Sequence, residues 1–451
     1  MMALFLRWGV DFGLLRDNRV FRALFSGRVL TVFGMSMLAV TINVQIYALT
    51  GSSMHIALVN SVLGICSVAG SFIGGAIADH RDRRKVILIA RGLAIFGFAA
   101  LAINAMLPET SLAAIYAITA FDAAIGSAGA TAFGAAVPAV VKSEELPTAG
   151  AIMALSIDLG AAVAPALAGA LISLSQPAIV MWIVVGLGIA SWLTIYQIPA
   201  LPPEEEKGNA SRYARPPQVD TIEPTKALPR QAITAANYLL YHIRQLRTQT
   251  SEAWVFSRQD RVVGTVLLIG FIQILFASPF VLVPEFVAST LKGGSTEVGL
   301  LYSAPACGAL LAGLSSGWIT RRSRLSVIVI LVFTLSAVGV AAFGQSKSLW
   351  VGFIFLSIVG AGDVIGEILR FTIISSRTPD QMRGRITGLW QAQATVGDTL
   401  GGPLLSLAAR MLGVGAAISY GGIIAAILTC ALLTRSEVRA HIHLDRKEEN
   451  T

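Results

Sequence analysis

The chain is expected to be an all-α polytopic membrane protein, with twelve transmembrane helices in two six-helix pseudo-repeats. Three observations predict this. The composition is 55% hydrophobic and only 13% charged, about half the charge of an ordinary soluble domain, and mean hydropathy is +0.70. Apolar segments recur in two groups of six around a long polar gap. The basic residues fall mainly in alternate loops, as topology in a bilayer demands.

A spanning helix takes about 20 apolar residues, so twelve fit comfortably within 451. The first six segments run over 21–49, 53–78, 86–106, 111–141, 147–174 and 177–199. The second six run over 262–290, 295–320, 325–344, 348–376, 386–410 and 413–434. The chain therefore divides into a cytoplasmic start (1–20), a first bundle (21–199), a cytoplasmic linker (200–261), a second bundle (262–434) and a cytoplasmic tail (435–451). Residues 1–22 hold Arg7, Arg16, Arg19 and Arg22 without a small-residue cleavage site, which reads as a cytoplasmic lead-in rather than a removable signal peptide.

Orientation comes from counting. With the N-terminus inside, 28 of the 34 Lys and Arg lie on the cytoplasmic side and three on the other, while Arg28, Arg91 and Arg370 fall within segments. Both termini are thus expected in the cytoplasm of a bacterial inner membrane, and the net charge of +8 reports topology rather than nucleic-acid binding, which needs basic residues on a soluble surface. Cys66, Cys307 and Cys430 all lie in apolar stretches and show neither a disulfide framework nor metal spacing. No phosphate-binding Gly-x-x-x-x-Gly-Lys-Ser/Thr loop is present, and no Ser/His/Asp or metal constellation suggests an enzyme. No cofactor is called for.

The linker begins with Pro202, Pro203 and Glu204 to Glu206 and is too rich in proline to span. Within it, Leu239, Ile243 and Leu246 recur at helical spacing beside Arg244 and Arg247. This segment is either an amphipathic helix on the inner membrane surface or a solvated linker helix packed on the protein.

An offset of 238 residues places Gly150 on Gly388 and Pro165 on Pro403, and an offset of 242 places Gly75 on Gly317. Duplicated halves around a midplane site are a transporter architecture. The loop after segment 2 reads Gly74-Gly75-Ala76-Ile77-Ala78-Asp79-His80-Arg81-Asp82-Arg83-Arg84-Lys85. It resembles the loop signature of the major facilitator superfamily, which implies the fold of that family and a conformational latch formed by Gly75, Asp79, Arg83 and Arg84. The alternative is a positive-inside loop with a helix-capping aspartate. Asp82 stands where the family usually has glycine, and aspartate tolerates the left-handed conformation. The second-half copy, Gly317 to Arg324, has Arg321 in the place of Asp79.

Gly160-Ala161-Ala162-Val163-Ala164-Pro165-Ala166-Leu167-Ala168-Gly169 resembles a degraded form of the Gly-Pro motif of the superfamily's antiporters; it also reads as a small-residue packing face. Ala90-Arg91-Gly92 through Tyr116, together with Gly384 to Gln393 and Gly397-Asp398, resemble the enterobactin-exporter branch. That resemblance implies proton-driven efflux of a catecholate siderophore. Neighbouring branches export macrolides and other drugs, and a non-transporting membrane scaffold or sensor is the reading from another class. The partners implied are a small-molecule substrate, protons and the lipid bilayer, with no nucleic acid; a monomer is compatible with the sequence.

Ionisable groups inside a bilayer cost roughly 2.5–3.5 kcal/mol at a helix centre and so mark function by default. Asp363, Glu367 and Arg370 in segment 10 share one helical face through i, i+4, i+7 spacing. They form either a proton site or a structural ion cluster. Asp122 in segment 4, Asp158 in segment 5 and Asp398 in segment 11 are further proton-coupling candidates, with pairing to a buried base or helix-packing hydrogen bonds as the alternatives. Arg28 reads as snorkelling and Arg91 as structural. Asn43, Gln45, Gln273, Trp390, Gln391 and Gln393 supply aromatic and amide groups for a cavity taking a planar phenolic ligand, or hydrogen bonds between helices.

Overall fold

A computed structural model describes residues 13–78, 81–201, 252–315 and 325–432. Asp79, the stretch 232–247 and the whole of the Gly317 to Arg324 copy, on which expectations rest, lie outside them. Among the described residues the regular structure is helical, with twelve long helices. The first six are α1 (Arg19–Thr50), α2 (Ser53–Ala78), α3 (Arg83–Met106), α4 (Leu112–Val140), α5 (Leu146–Leu174) and α6 (Pro177–Tyr196). The second six are α7 (Arg261–Phe276), α8 (Ser295–Ser315), α9 (Leu325–Gln345), α10 (Leu349–Arg377), α11 (Asp380–Leu412) and α12 (Val414–Ala431). Short helices, Gly13–Asp17 and 252–259, precede α1 and α7.

Side-chain caps set several helix starts by satisfying N–H groups that lack an intrahelical partner. Asn18 Oδ1 accepts from the Phe21 N–H at 2.9 Å while its Nδ2 donates to the Val140 carbonyl at 2.8 Å, tying the start of α1 to the end of α4. Asp82 caps α3, accepting from the N–H groups of Arg84 at 2.9 Å and Leu201 at 3.0 Å. Its φ is −55°, so the residue that replaces glycine is a cap in ordinary backbone rather than a left-handed turn. Asp260 caps α7 by accepting from Val262 and Val263.

The segment expected as one span over 262–290 is interrupted. α7 stops at Phe276, and a 3-10 turn (Pro279–Leu282), an α turn (Val283–Phe286) and a π turn (Val287–Leu291) follow. Pro279 and Pro284 each remove a backbone donor, which breaks a regular ladder.

Helices pair in a pattern that repeats every six. α1 packs on α5 and α6, α2 on α4, and α3 on α4 and α6; in turn α7 packs on α11 and α12, α8 on α10, and α9 on α10 and α12. The broad contacts between the two sets are α5 with α8 and α2 with α11. Ten spans among the described residues, with α7 counted together with the turns through Leu291, are long and apolar enough to cross a membrane. The two that fall short, α8 and α11, belong to these seams and carry polar groups such as Glu297, Ser303, Asp398 and Arg410. Much of the outward surface is apolar, with Phe96, Leu311 and Met411 each at least 70% exposed, as a protein solvated by lipid requires.

Both seams centre on a proline. Pro403 in α11 has no N–H, so the Thr399 carbonyl four residues earlier loses its helical partner. The Ser61 hydroxyl of α2 lies 2.8 Å from that carbonyl and 2.9 Å from its own Ala57 carbonyl. At the other seam the Ala166 N–H, next to Pro165 in α5, donates to the Ser303 hydroxyl of α8 at 3.0 Å. Ser61 and Ser303 are 242 residues apart, the offset that relates Gly75 to Gly317. At the α5–α8 seam, a Cβ on either Gly169 or Gly299 would come within 2.9 Å of the other's Cα, so only glycine permits this approach.

Replacing Ser61 or Ser303 with Ala is expected to lower stability by about 1 kcal/mol each, measured as the thermal midpoint of the purified protein, with near-additive loss in the double variant because the sites are independent. A midpoint unchanged in both single variants contradicts the assignment of these serines as seam partners.

Candidate functional site

The helices have a basic end, where Arg83 to Lys85, Lys142, Arg377, Arg383 and Arg385 lie. At the opposite end the two halves are clasped. Glu285, in the broken part of α7, accepts from the backbone N–H of Ser53 at 3.3 Å and from the Ser53 hydroxyl. Arg410 donates to the Ser52 hydroxyl at 3.0 Å, and Thr296 meets Ser173 at 2.9 Å. One layer deeper, Asn43 of α1 donates to the Tyr302 hydroxyl at 2.9 Å, which donates onward to the Phe280 carbonyl at 2.8 Å. Asn43 and Gln45 are both buried; the Asn43 amide belongs to this clasp.

Below the clasp lies a cavity of about 210 Å³, lined by residues of α7, the turn after it, α9, α10 and α11 that include Gln273, Phe280, Asp363, Glu367, Arg370 and Trp390. Five of the residues singled out by sequence, Gln273, Asp363, Glu367, Arg370 and Trp390, thus meet in one place beside the break in α7. Asp363 and Glu367 are exposed to it, whereas Arg370 is 95% buried. The Asp363 carboxylate accepts from the Ser336 hydroxyl of α9 at 3.1 Å. No ion pair joins Arg370 to Asp363 or Glu367 among the described residues. Its guanidinium instead stacks 4.6 Å from the Trp390 ring centroid and 5.9 Å from that of Phe333, and its Nε and one terminal nitrogen have no hydrogen-bond partner.

Gly270 of α7 makes that position possible: a Cβ there would sit 2.2 Å from the guanidinium. Gln273, one turn on, spends its amide on the Phe333 carbonyl at 3.1 Å and the Thr429 hydroxyl at 3.2 Å, so it fixes α7 to α9 and α12 at the cavity wall. Gln391 and Asp398 are seven residues apart on one exposed face of α11, and the half-buried Gln393 holds an unpartnered Nε2.

The structure does not bring the first-half acids to this cavity. Asp122 on α4 packs against Gly97 of α3, and neither carboxylate oxygen has a hydrogen-bond partner; no buried base is paired with it among the described residues. Asp158 is half-buried on α5. Of the loop after α2, Gly75 sits where a Cβ would find Thr131 at 3.8 Å. Arg84 donates to the Tyr196 carbonyl at 2.6 Å and stacks on the Tyr196 ring, while the Arg83 N–H donates to the Leu201 carbonyl at 3.0 Å. These contacts anchor the loop to the end of α6 within its own half.

Sequence reasoning passed over the grouping of Arg28, Arg91 and Phe133. Arg91 donates to the Gly27 carbonyl at 3.1 Å and to the Ser191 hydroxyl, and both arginines lie within 5.6 Å of the Phe133 ring centroid. The only sequence signal was their occurrence inside apolar segments.

The family model described as Major Facilitator Superfamily matches residues 24–402 and 265–450. An enterobactin exporter of Citrobacter koseri is 32% identical over 429 residues, covering 94% of each chain. One from Shigella boydii is 31% identical over 433 residues, covering 96% of this chain and 95% of that relative. Among solved structures, a bacterial homologue of the iron transporter ferroportin in an inward-facing state matches with TM-score 0.64 at 15% identity, over 92% of this chain and 99% of that one. A bacterial homologue of the human lysosomal transporter Spinster, inward-facing and unoccupied, matches with TM-score 0.65 at 14% identity, over 95% and 96%. At these identities the structures speak for the fold alone.

If Gly270 is what admits Arg370, Gly270→Ala displaces the guanidinium. Transport is then expected to fall at least tenfold at normal protein levels, and a second change of Arg370 to Ala should add little. Full transport by Gly270→Ala would contradict the packing argument.

Proposed function

The chain belongs to the major facilitator superfamily and is a transporter rather than an enzyme; from that premise we propose that it exports a catecholate siderophore by proton antiport. The observation that carries the reading is the cavity in which two carboxylates, Asp363 and Glu367, face the open space beside a guanidinium with which neither forms an ion pair among the described residues. A carboxylate in a membrane cavity is costly when charged and unpaired, so it takes up a proton readily and releases it where water or a positive charge is near. Arg370 supplies that charge within one and two helical turns. Its stack on Trp390 also presents an aromatic and cationic wall suited to a planar, phenolic ligand. The relatives named as enterobactin exporters support the same cargo class.

The positive-inside count puts the basic end in the cytoplasm. On that reading the clasped end is periplasmic, and its closure in this state suits loading of cargo from the cytoplasm. Export requires the seams α2–α11 and α5–α8 to part at the clasped end while the basic ends close, with the loop residues Gly75, Asp79, Arg83 and Arg84 as the latch of that second state. Protons enter from outside to Asp363 and Glu367 and leave inside as the next cargo loads. Asp122, Asp158 and Asp398 are secondary in this scheme, since none of them lines the cavity around Arg370.

Asp363→Asn and Glu367→Gln are each expected to abolish gradient-driven efflux from cells or inverted vesicles, with protein levels unchanged; normal efflux in both would sink the proton-site assignment. A strain lacking the gene should retain siderophore and secrete less of it under iron limitation. Equal secretion combined with raised macrolide sensitivity would redirect the cargo assignment to drugs.

A further inference from the structure

Arg28, Arg91 and Phe133 lie nine, eight and seven residues from the basic ends of α1, α3 and α4. Arg370, Phe333, Gly270 and Trp390 lie seven to ten residues from the same ends of α10, α9, α7 and α11. Each half therefore carries guanidinium on aromatic at one depth. The first-half group differs in two respects. It holds two cations, and no carboxylate forms an ion pair with either among the described residues.

The two arginines have different standing. Arg91 is fixed to α1 and α6 through the Gly27 carbonyl and the Ser191 hydroxyl, and Ser191 in turn contacts Thr31 at 2.9 Å. Among the described residues Arg28 makes no hydrogen bond, and its guanidinium lies over the Phe133 ring at 5.5 Å. Phe133 is 5% exposed, so the ring is a rigid platform. Arg28 also shares a face of α1 with Met35 and Ala39, seven and eleven residues on, both exposed. That face looks away from the Gly27 side, where α6 packs.

We propose that this cluster is a binding site for an oxyanion, a carboxylate, phenolate or phosphate oxygen group, with Arg28 as the ligating residue and Arg91 and Phe133 as its support. A guanidinium presents a planar fork of donors matched to two oxygens of one anion. Two neighbouring cations with no acid beside them repel each other, and a bound anion relieves that repulsion. The group sits within the half that lacks the Asp363 cavity, so it is a separate station on the path from the basic end. The oxyanion comes either from a solute in the opening between the halves or from an anionic lipid headgroup.

The test uses the full-length protein in nanodiscs, with 2-hydroxybenzoate as the solute probe and neutral benzyl alcohol as its control, followed by saturation-transfer NMR. Co-purifying phosphatidylglycerol is counted in parallel by native mass spectrometry. Arg28→Gln removes the charge, and because Arg28 makes no hydrogen bond among the described residues the fold should survive, which a gel-filtration profile checks. Arg370→Ala is included in both backgrounds so that binding at the other cavity is subtracted. Loss of 2-hydroxybenzoate affinity by about tenfold in Arg28→Gln, partial recovery in Arg28→Lys and no change for benzyl alcohol support a solute site. Loss of bound phosphatidylglycerol alone supports the oxyanion site and assigns it to a headgroup. Wild-type binding of both probe and lipid by Arg28→Gln overturns the proposal. Since binding is read without transport, failure of the export reading leaves this outcome unaffected.

Discussion

Backbone groups in hydrocarbon must find partners within the protein, and in this chain that constraint is focused at two prolines. Pro165 and Pro403 each disturb the ladder of a long helix, and each lies beside a serine of the other half. The serines therefore do two things at once: they supply a polar contact at a broken helix, and they place α2 against α11 and α5 against α8. The close approach of Gly169 and Gly299 follows from the same arrangement. The clasp from Ser53 to Glu285 and from Asn43 through Tyr302 to Phe280 closes over the cavity only because these seams bring the halves together at that end.

The two halves repeat in packing but not in chemistry. The second half exposes Asp363 and Glu367 to a cavity next to Arg370, which among the described residues forms an ion pair with neither. The first half turns Asp122 away toward Gly97 and gathers Arg28 and Arg91 on Phe133. A duplicated scaffold thus supplies the geometry for two-sided opening, and charge placement makes one half acidic at its centre and the other basic near its entrance. The break in α7 ties these features together, because Ala277, Ser278 and Phe280 line the cavity while Glu285, a few residues on, holds the clasp.

The twelve helices were legible because spanning segments must be long and apolar, and the repetition of helix pairing every six helices echoes the offset already visible in Pro165 and Pro403. The face shared by Asp363, Glu367 and Arg370 was legible from helical spacing. Their lack of mutual ion pairs was not, since it depends on Ser336 and Trp390, which lie on other helices. Asn43 read as a cavity amide because nothing local announces Tyr302, 259 residues away. The interruption of α7 hid inside a continuous apolar run, with only Pro279 and Pro284 as clues. Asp82 looked like a turn residue and is a cap, because Leu201 supplies a second N–H that no local pattern foretells.

Alternating opening at the clasped end is the claim on which the rest turns, and one cross-link tests it directly. A Cβ at position 402 lies 3.4 Å from the Ala57 Cβ across the α2–α11 seam, close to the separation a disulfide needs. In a background where Cys66, Cys307 and Cys430 are replaced by Ala, the pair Ala57→Cys and Gly402→Cys is oxidised and efflux measured before and after reduction. The account predicts that efflux stops when the pair is cross-linked and returns when it is reduced. Undiminished efflux from fully cross-linked protein would contradict it.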